Sequence, residues 1–170
     1  MSQLKLAIIG VGLIGGSLGL CLKDKLGDKI YITGLCRHQS SMDRAVALGA
    51  VDYASSDLKA VVEDADIVFL STPVLQIVPM VEKILPYLKP GTILTDAGST
   101  KGYIWEHLKH ILPKDIYYIA GHPMTGREKS GVDAAVKDLF VGKAYVIVED
   151  TGAPPEAHEK LMRVLRHTGA

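Results

Sequence analysis

The chain carries no excess of either charge sign. Lys and Arg total 19, Asp and Glu total 19, and the formal net charge over 170 residues is zero. A binder of the nucleic-acid backbone needs a basic surface, and a polybasic membrane anchor needs clustered cations, so this balance argues against both. Long hydrophobic runs are missing: none reaches the roughly 18 residues of a spanning helix. The first apolar run, Leu6 to Gly10, ends in glycine rather than in a signal-peptide cleavage site. Cysteine is scarce. Cys21 and Cys36 form neither a CxxC nor a metal-ligand spacing, which reads as two reduced thiols in a cytoplasmic protein. Aromatics make up only 6% and do not interleave with basic residues, which again speaks against nucleic acid.

What is present points to a folded α/β domain. The apolar share of 48% and charged share of 22% exclude a disordered chain, and 18.3 kDa suits one domain, residues 1–170. The 17 glycines suit tight turns between strands and helices. Leu4–Ile9 is a nearly continuous apolar run, the pattern of a strand buried on both faces. Ile14, Leu18 and Leu22 then repeat at helical spacing as far as Leu26. Further strands are expected at 30–36, 51–54, 66–71, 92–96, 116–120 and 144–148. Helices are expected at 42–48, 58–63, 74–85, 101–112, 131–139 and 155–166. This alternation predicts a doubly wound, mostly parallel sheet.

Gly10-Val11-Gly12-Leu13-Ile14-Gly15 is a GxGxxG sequence that follows a predicted strand and opens a predicted helix. Gly10 permits a tight turn, Gly12 lets a pyrophosphate approach the backbone, and Gly15 lets the helix lie close to the strand. The free N–H groups at the helix start, from Leu13 and Ile14 onward, would hold the phosphates. Gly16 and Gly19 read as packing glycines. About 20 residues further on, a carboxylate would bind the ribose 2′-hydroxyl of NAD. The sequence has Cys36-Arg37-His38-Gln39-Ser40-Ser41 there, with no carboxylate before Asp43. Arg37 can fork onto a 2′-phosphate, and Ser40 and Ser41 can add donors, which favours NADP. The alternative is that Arg37 stacks on adenine and NAD binds. His38 is either a second phosphate ligand or a surface histidine.

Ligands in such sheets sit beyond the carboxyl ends of the strands. Three segments occupy those ends: Ser71-Thr72-Pro73, Asp96-Ala97-Gly98-Ser99-Thr100-Lys101 and Gly121-His122-Pro123-Met124-Thr125-Gly126. A polar residue there can also be a plain helix cap. His107 and His110 lie beside Glu106 on a predicted helix, but no third ligand is in view, so no metal site is expected.

The pieces VGLIGGSLG, FLSTP, LTDAGSTKG and above all GHPMTGREKSG make the chain resemble the prephenate and arogenate dehydrogenases of tyrosine biosynthesis. The resemblance runs over essentially the whole chain. It implies a Rossmann-type NAD(P)-binding domain whose family continues into a helical dimerisation domain, absent from these 170 residues, and a homodimeric full-length enzyme. The implied reaction is oxidation of the 4-hydroxyl of a cyclohexadienyl ring with loss of carbon dioxide. His122 matches the family's catalytic histidine, and Ser99 matches a serine that orients the hydroxyl or the histidine. Thr72 and Pro73 would lie beside the nicotinamide, and Asp96 and Lys101 would shape the loop. Arg127, Glu128 and Lys129 either meet substrate carboxylates or face solvent. The competing readings are another dehydrogenase of the β-hydroxyacid or imine reductase type, and a nucleotide-binding module without catalysis.

Overall fold

A computed structural model describes residues 2–170. Seven strands form one sheet in the order β3-β2-β1-β4-β5-β6-β7. They are β1 (Leu4–Ile9), β2 (Ile30–Leu35), β3 (Tyr53–Ser55), β4 (Ile67–Leu70), β5 (Ile93–Asp96), β6 (Tyr117–Pro123) and β7 (Tyr145–Val148). The first six pair in parallel, and β7 runs antiparallel to β6. The α-helices are α1 (Leu13–Leu26), α2 (Gln39–Ala47), α3 (Leu58–Val62), α4 (Val74–Ile84), α5 (Lys101–Leu108) and α6 (Pro155–Leu165).

The two-residue period of the strands divides the core. Leu6 and Ile8 of β1, Ile67 and Phe69 of β4, and Ile119 of β6 pack against α1, α2 and α6. Ala7 and Ile9, Val68 and Leu70, and Tyr118 face the other way, against α3, α4 and α5. Because both faces are covered, β4 is apolar throughout and β1 is so except for Lys5, rather than alternating, which is what made them legible. The strand order reverses between β1 and β4, so the crevice beyond their carboxyl ends is the expected ligand position.

Four expectations need correction. Residues 131–139 hold only one 3₁₀ turn, Val132–Ala134, not a helix. This segment lies directly on α1: a Cβ added at Gly16 would meet that of Ala135 at 3.0 Å, and the Val136 N–H donates to Ser17 Oγ at 3.0 Å. The Val136 N–H is thus taken by another element, and the N–H groups of Ala134, Ala135 and Leu139 bond three residues back rather than in a helical ladder. The helix expected to reach Leu112 stops at Leu108, where bonds to the third residue back, such as Ile111 N–H to Leu108 O at 3.0 Å, tighten the chain ahead of Pro113. Gly121-His122-Pro123 does not follow its strand but belongs to it. The first half of β6 pairs with β5, and the second half outruns β5 and pairs with β7, setting His122 opposite Val146. A smaller shift moves the third strand to Tyr53–Ser55.

Candidate active site at the carboxyl edge of the sheet

The glycine loop turns immediately after β1. Gly10 has φ +91°, a conformation that favours glycine, and its carbonyl accepts from Ser71 Oγ at 2.6 Å. Gly15 is a close-approach residue. A Cβ there would stand 2.4 Å from Gly10 O, 2.6 Å from Ser71 Oγ and 2.7 Å from Ile8 Cγ2. At Gly12 the same Cβ would meet nothing within 4 Å, so this backbone is open to a ligand. No side chain caps the start of α1, which leaves its first N–H groups directed at the same opening. Gly19 packs, as expected: a Cβ there would lie 2.0 Å from Ala50 O.

A cleft of ≈ 340 Å³ joins the ends of β1, β2 and β4. It brings Gly10, Gly12, Arg37, His38, Ser41, Thr72 and Pro73 together. Ser40 does not line it and is exposed on the first turn of α2. Leu13 and Ile14 turn their side chains to the core, leaving only backbone to offer a phosphate. Arg37 is exposed, and no carboxylate pairs with it among the described residues; its one partner is Gln76 Oε1 at 3.4 Å. Asp43, the first carboxylate past β2, is engaged by Gln39 at 2.8 Å on α2. Gln76 and Met80, which sequence reasoning missed, line the cleft from α4. Their signal was present: Gln76 falls four residues after Thr72, in the first turn of the helix that the strand end opens.

Beyond β5 and β6 lies a second group. Asp96 is fully buried and its carboxylate accepts from four donors. Oδ1 takes Tyr118 Oη at 2.8 Å and the Gly121 N–H at 3.4 Å. Oδ2 takes the Gly98 N–H at 2.9 Å and Lys101 Nζ. Burial lowers the Lys101 pKa, and the charge of Asp96 opposes that shift. The Tyr118 phenol is pushed well above its ordinary value, first by burial and then by Asp96. Tyr145 is pushed up in the same way, and its hydroxyl, like Thr95 Oγ1, is buried without a partner among the described residues. Ser99 is exposed and His122 half-buried, each one residue past an amide that Asp96 holds. Arg127, Glu128 and Lys129 are exposed in the chain after β6. His107 sets its Nδ1 2.7 Å from Tyr103 O, and Glu106 pairs with Lys109 at 2.7 Å.

The glycine turn, the uncapped helix start and the crevice at the reversal of strand order define a dinucleotide-binding domain of the doubly wound class. The family described as "Prephenate dehydrogenase, nucleotide-binding domain" matches residues 18–170, and the chain belongs to that family. It is 33% identical to a prephenate dehydrogenase of Bacillus subtilis, over 100% of this chain and 46% of the relative. It is 32% identical to a cyclohexadienyl dehydrogenase of Zymomonas mobilis, over 89% and 51%. Among solved structures, Synechocystis arogenate dehydrogenase superposes with a TM-score of 0.88 at 37% identity, covering 98% of this chain and 58% of that one. Aquifex aeolicus prephenate dehydrogenase, in complex with hydroxyphenyl propionate and NAD+, gives 0.88 at 32%, covering 99% and 58%. The chain thus spans about half the length of the curated relatives it matches. No helix among the described residues is long and apolar enough to cross a membrane.

Proposed function

We propose that this chain is the cofactor-binding domain of an NAD(P)-dependent dehydrogenase that oxidatively decarboxylates prephenate, to 4-hydroxyphenylpyruvate, or arogenate, to tyrosine. The observation that carries this reading is the convergence of the open Gly12 backbone with the Ser99 and His122 segments along one sheet edge, in a member of this family. The residues fit a dinucleotide: Gly12 and the start of α1 offer bare backbone to a pyrophosphate, and Thr72 and Pro73 form the wall beside them. When bound, the nicotinamide ring supplies the hydride acceptor. His122 accepts the 4-hydroxyl proton, a task suited to an imidazole because a neutral ring nitrogen can take up a proton from a hydroxyl within hydrogen-bond reach. Ser99 orients that hydroxyl or the imidazole. The ring carboxylate leaves as carbon dioxide, and the electron pair it leaves behind makes the ring aromatic.

NADP is the proposed preference over NAD. Arg37, unpaired by any carboxylate among the described residues, supports it, with Ser41 and His38 in the same cleft and Ser40 on the adjoining turn. The Aquifex relative was solved with NAD+, so the alternative in which Arg37 stacks on adenine has an observation behind it. The remaining readings follow the family: a small-molecule substrate, a homodimeric whole enzyme, a cytoplasmic location and a helical domain that completes the substrate site. Since the chain spans about half its curated relatives, the 170 residues alone are expected to bind dinucleotide with little turnover. Robust turnover by them would contradict this division of labour. In the whole enzyme, His122→Asn should abolish dehydrogenation while dinucleotide still binds. Retention of most of the turnover would remove His122 from the mechanism.

A further inference from the structure

Ser99 and His122 reach the sheet edge on different elements. Ser99 sits on the loop from β5 to α5, and His122 on the half of β6 that has lost its β5 neighbour. Neither side chain hydrogen-bonds another among the described residues, so their relative placement rests on the backbone beneath them. That backbone converges on one group. Asp96 Oδ2 binds the N–H of Gly98, the residue before Ser99, and Oδ1 binds the N–H of Gly121, the residue before His122. Lys101 Nζ, from the first turn of α5, supplies the countercharge on Oδ2, and Tyr118 Oη supports Oδ1. A Cβ at Gly121 would stand only 3.1 Å from Asp96 O, so β6 is pressed onto the end of β5 here.

We propose that Asp96 and Lys101 form a positioning pair that holds Ser99 and His122 in a common register, one carboxylate oxygen per segment. A buried carboxylate needs a compensating charge and filled acceptor sites, and this one has both only while the two segments keep their present spacing. Bridging through one rigid group suits chemistry that depends on sub-ångström placement. The catalytic consequence rests on the proposed function; the geometric coupling does not.

The test has two arms. In the 170-residue chain, Lys101→Met should move the backbone amide NMR signals of Gly98–Ser99 and Gly121–His122 together, leaving Gly10–Gly15 in place. In the whole enzyme the same variant should lower kcat by roughly 10- to 100-fold, the scale of a small misplacement of reacting groups, with KM for dinucleotide within about twofold. Lys101→Arg, which keeps a cation on Oδ2, should recover most of that loss. Asp96→Asn is the second variant. It keeps the shape but turns an –NH₂ group against either the Gly98 N–H and Lys101 or the Gly121 N–H, so it should reproduce both effects. Amide changes confined to residues 98–102 would overturn the coupling. A kcat within about threefold of the parent, or a parallel decline of kcat, dinucleotide affinity and melting temperature, would overturn the positioning role. If the parent enzyme turned over no cyclohexadienyl substrate, the proposed function would fail while the amide arm still decided the coupling.

Discussion

Gly12 and Gly15 lie three residues apart, and the structure predicts opposite outcomes for the same added methyl. In Gly15→Ala the new Cβ falls 2.4 Å from Gly10 O and 2.6 Å from Ser71 Oγ. Gly10 O belongs to backbone already fixed by the Ser71 hydrogen bond, so the start of α1 must lift off β1 by more than half an ångström. Overpacking of this kind costs about 1–3 kcal/mol, which is roughly 2–10 °C in melting temperature for a domain of this size. In Gly12→Ala the Cβ meets nothing within 4 Å, so no clash arises, and the fold pays only for alanine in place of glycine at the helix N-cap, about 0.5–1 kcal/mol or roughly 1–4 °C. The methyl instead enters the space through which a pyrophosphate approaches, and a clash of about 1–3 kcal/mol weakens binding roughly 5- to 150-fold. Thermal unfolding and calorimetric titration of both variants read the two effects separately. The reasoning is refuted if Gly15→Ala melts with the parent, or if Gly12→Ala binds dinucleotide as the parent does.

Arg37→Ala should weaken NADP binding by about 10- to 100-fold, the value of charge-assisted bonds to one phosphate, and leave NAD nearly unchanged; equal losses by titration would mean the guanidinium stacks rather than ligates. Ser17→Ala leaves the Val136 N–H without its buried partner, at a cost of about 1–3 kcal/mol. Amide exchange should speed up at Val136 and its neighbours before it does elsewhere. Burial alone would raise the Asp66 carboxyl, but the Lys5 N–H, the Lys89 ion pair and the charge of Lys160 outweigh it and hold its pKa below the ordinary value. A depressed carboxyl stabilises the fold above its unfolded pKa of about 3.9 and loses that contribution as pH falls through the folded value. Asp66→Asn should therefore lower stability at neutral pH and flatten the fall below about pH 4, read by denaturant unfolding across pH.

The buried strands, the glycine turn and the motif residues at the strand ends were legible because each has a local cause. Apolar runs mark β1 and β4, and GxGxxG marks a turn whose geometry only small residues permit. What was not legible depends on partners distant in sequence. Nothing near Ser17 announces that it accepts from Val136, in a segment that holds one 3₁₀ turn and not the helix its spacing suggests. The antiparallel β7 extends β6 through His122, whereas the sequence alone places a loop there. Asp96 and Lys101 stood out as loop residues, but nothing in the strand expected at 116–120 marks Tyr118, whose hydroxyl completes the carboxylate's shell. Gln76 escaped because its place in the first turn after Thr72-Pro73 puts it at the strand end but does not say what it faces, which only β2, by setting Arg37 beside it, decides.

The most direct test of the account is steady-state turnover by the whole enzyme against prephenate, arogenate, a 3-hydroxyacid and a cyclic imine, following reduced or oxidised dinucleotide and released carbon dioxide together. The account predicts dinucleotide reduction and carbon dioxide release in equal amounts with one or both cyclohexadienyl substrates, and neither with the others. Turnover of the hydroxyacid or imine in preference, or dinucleotide reduction without carbon dioxide, would contradict it.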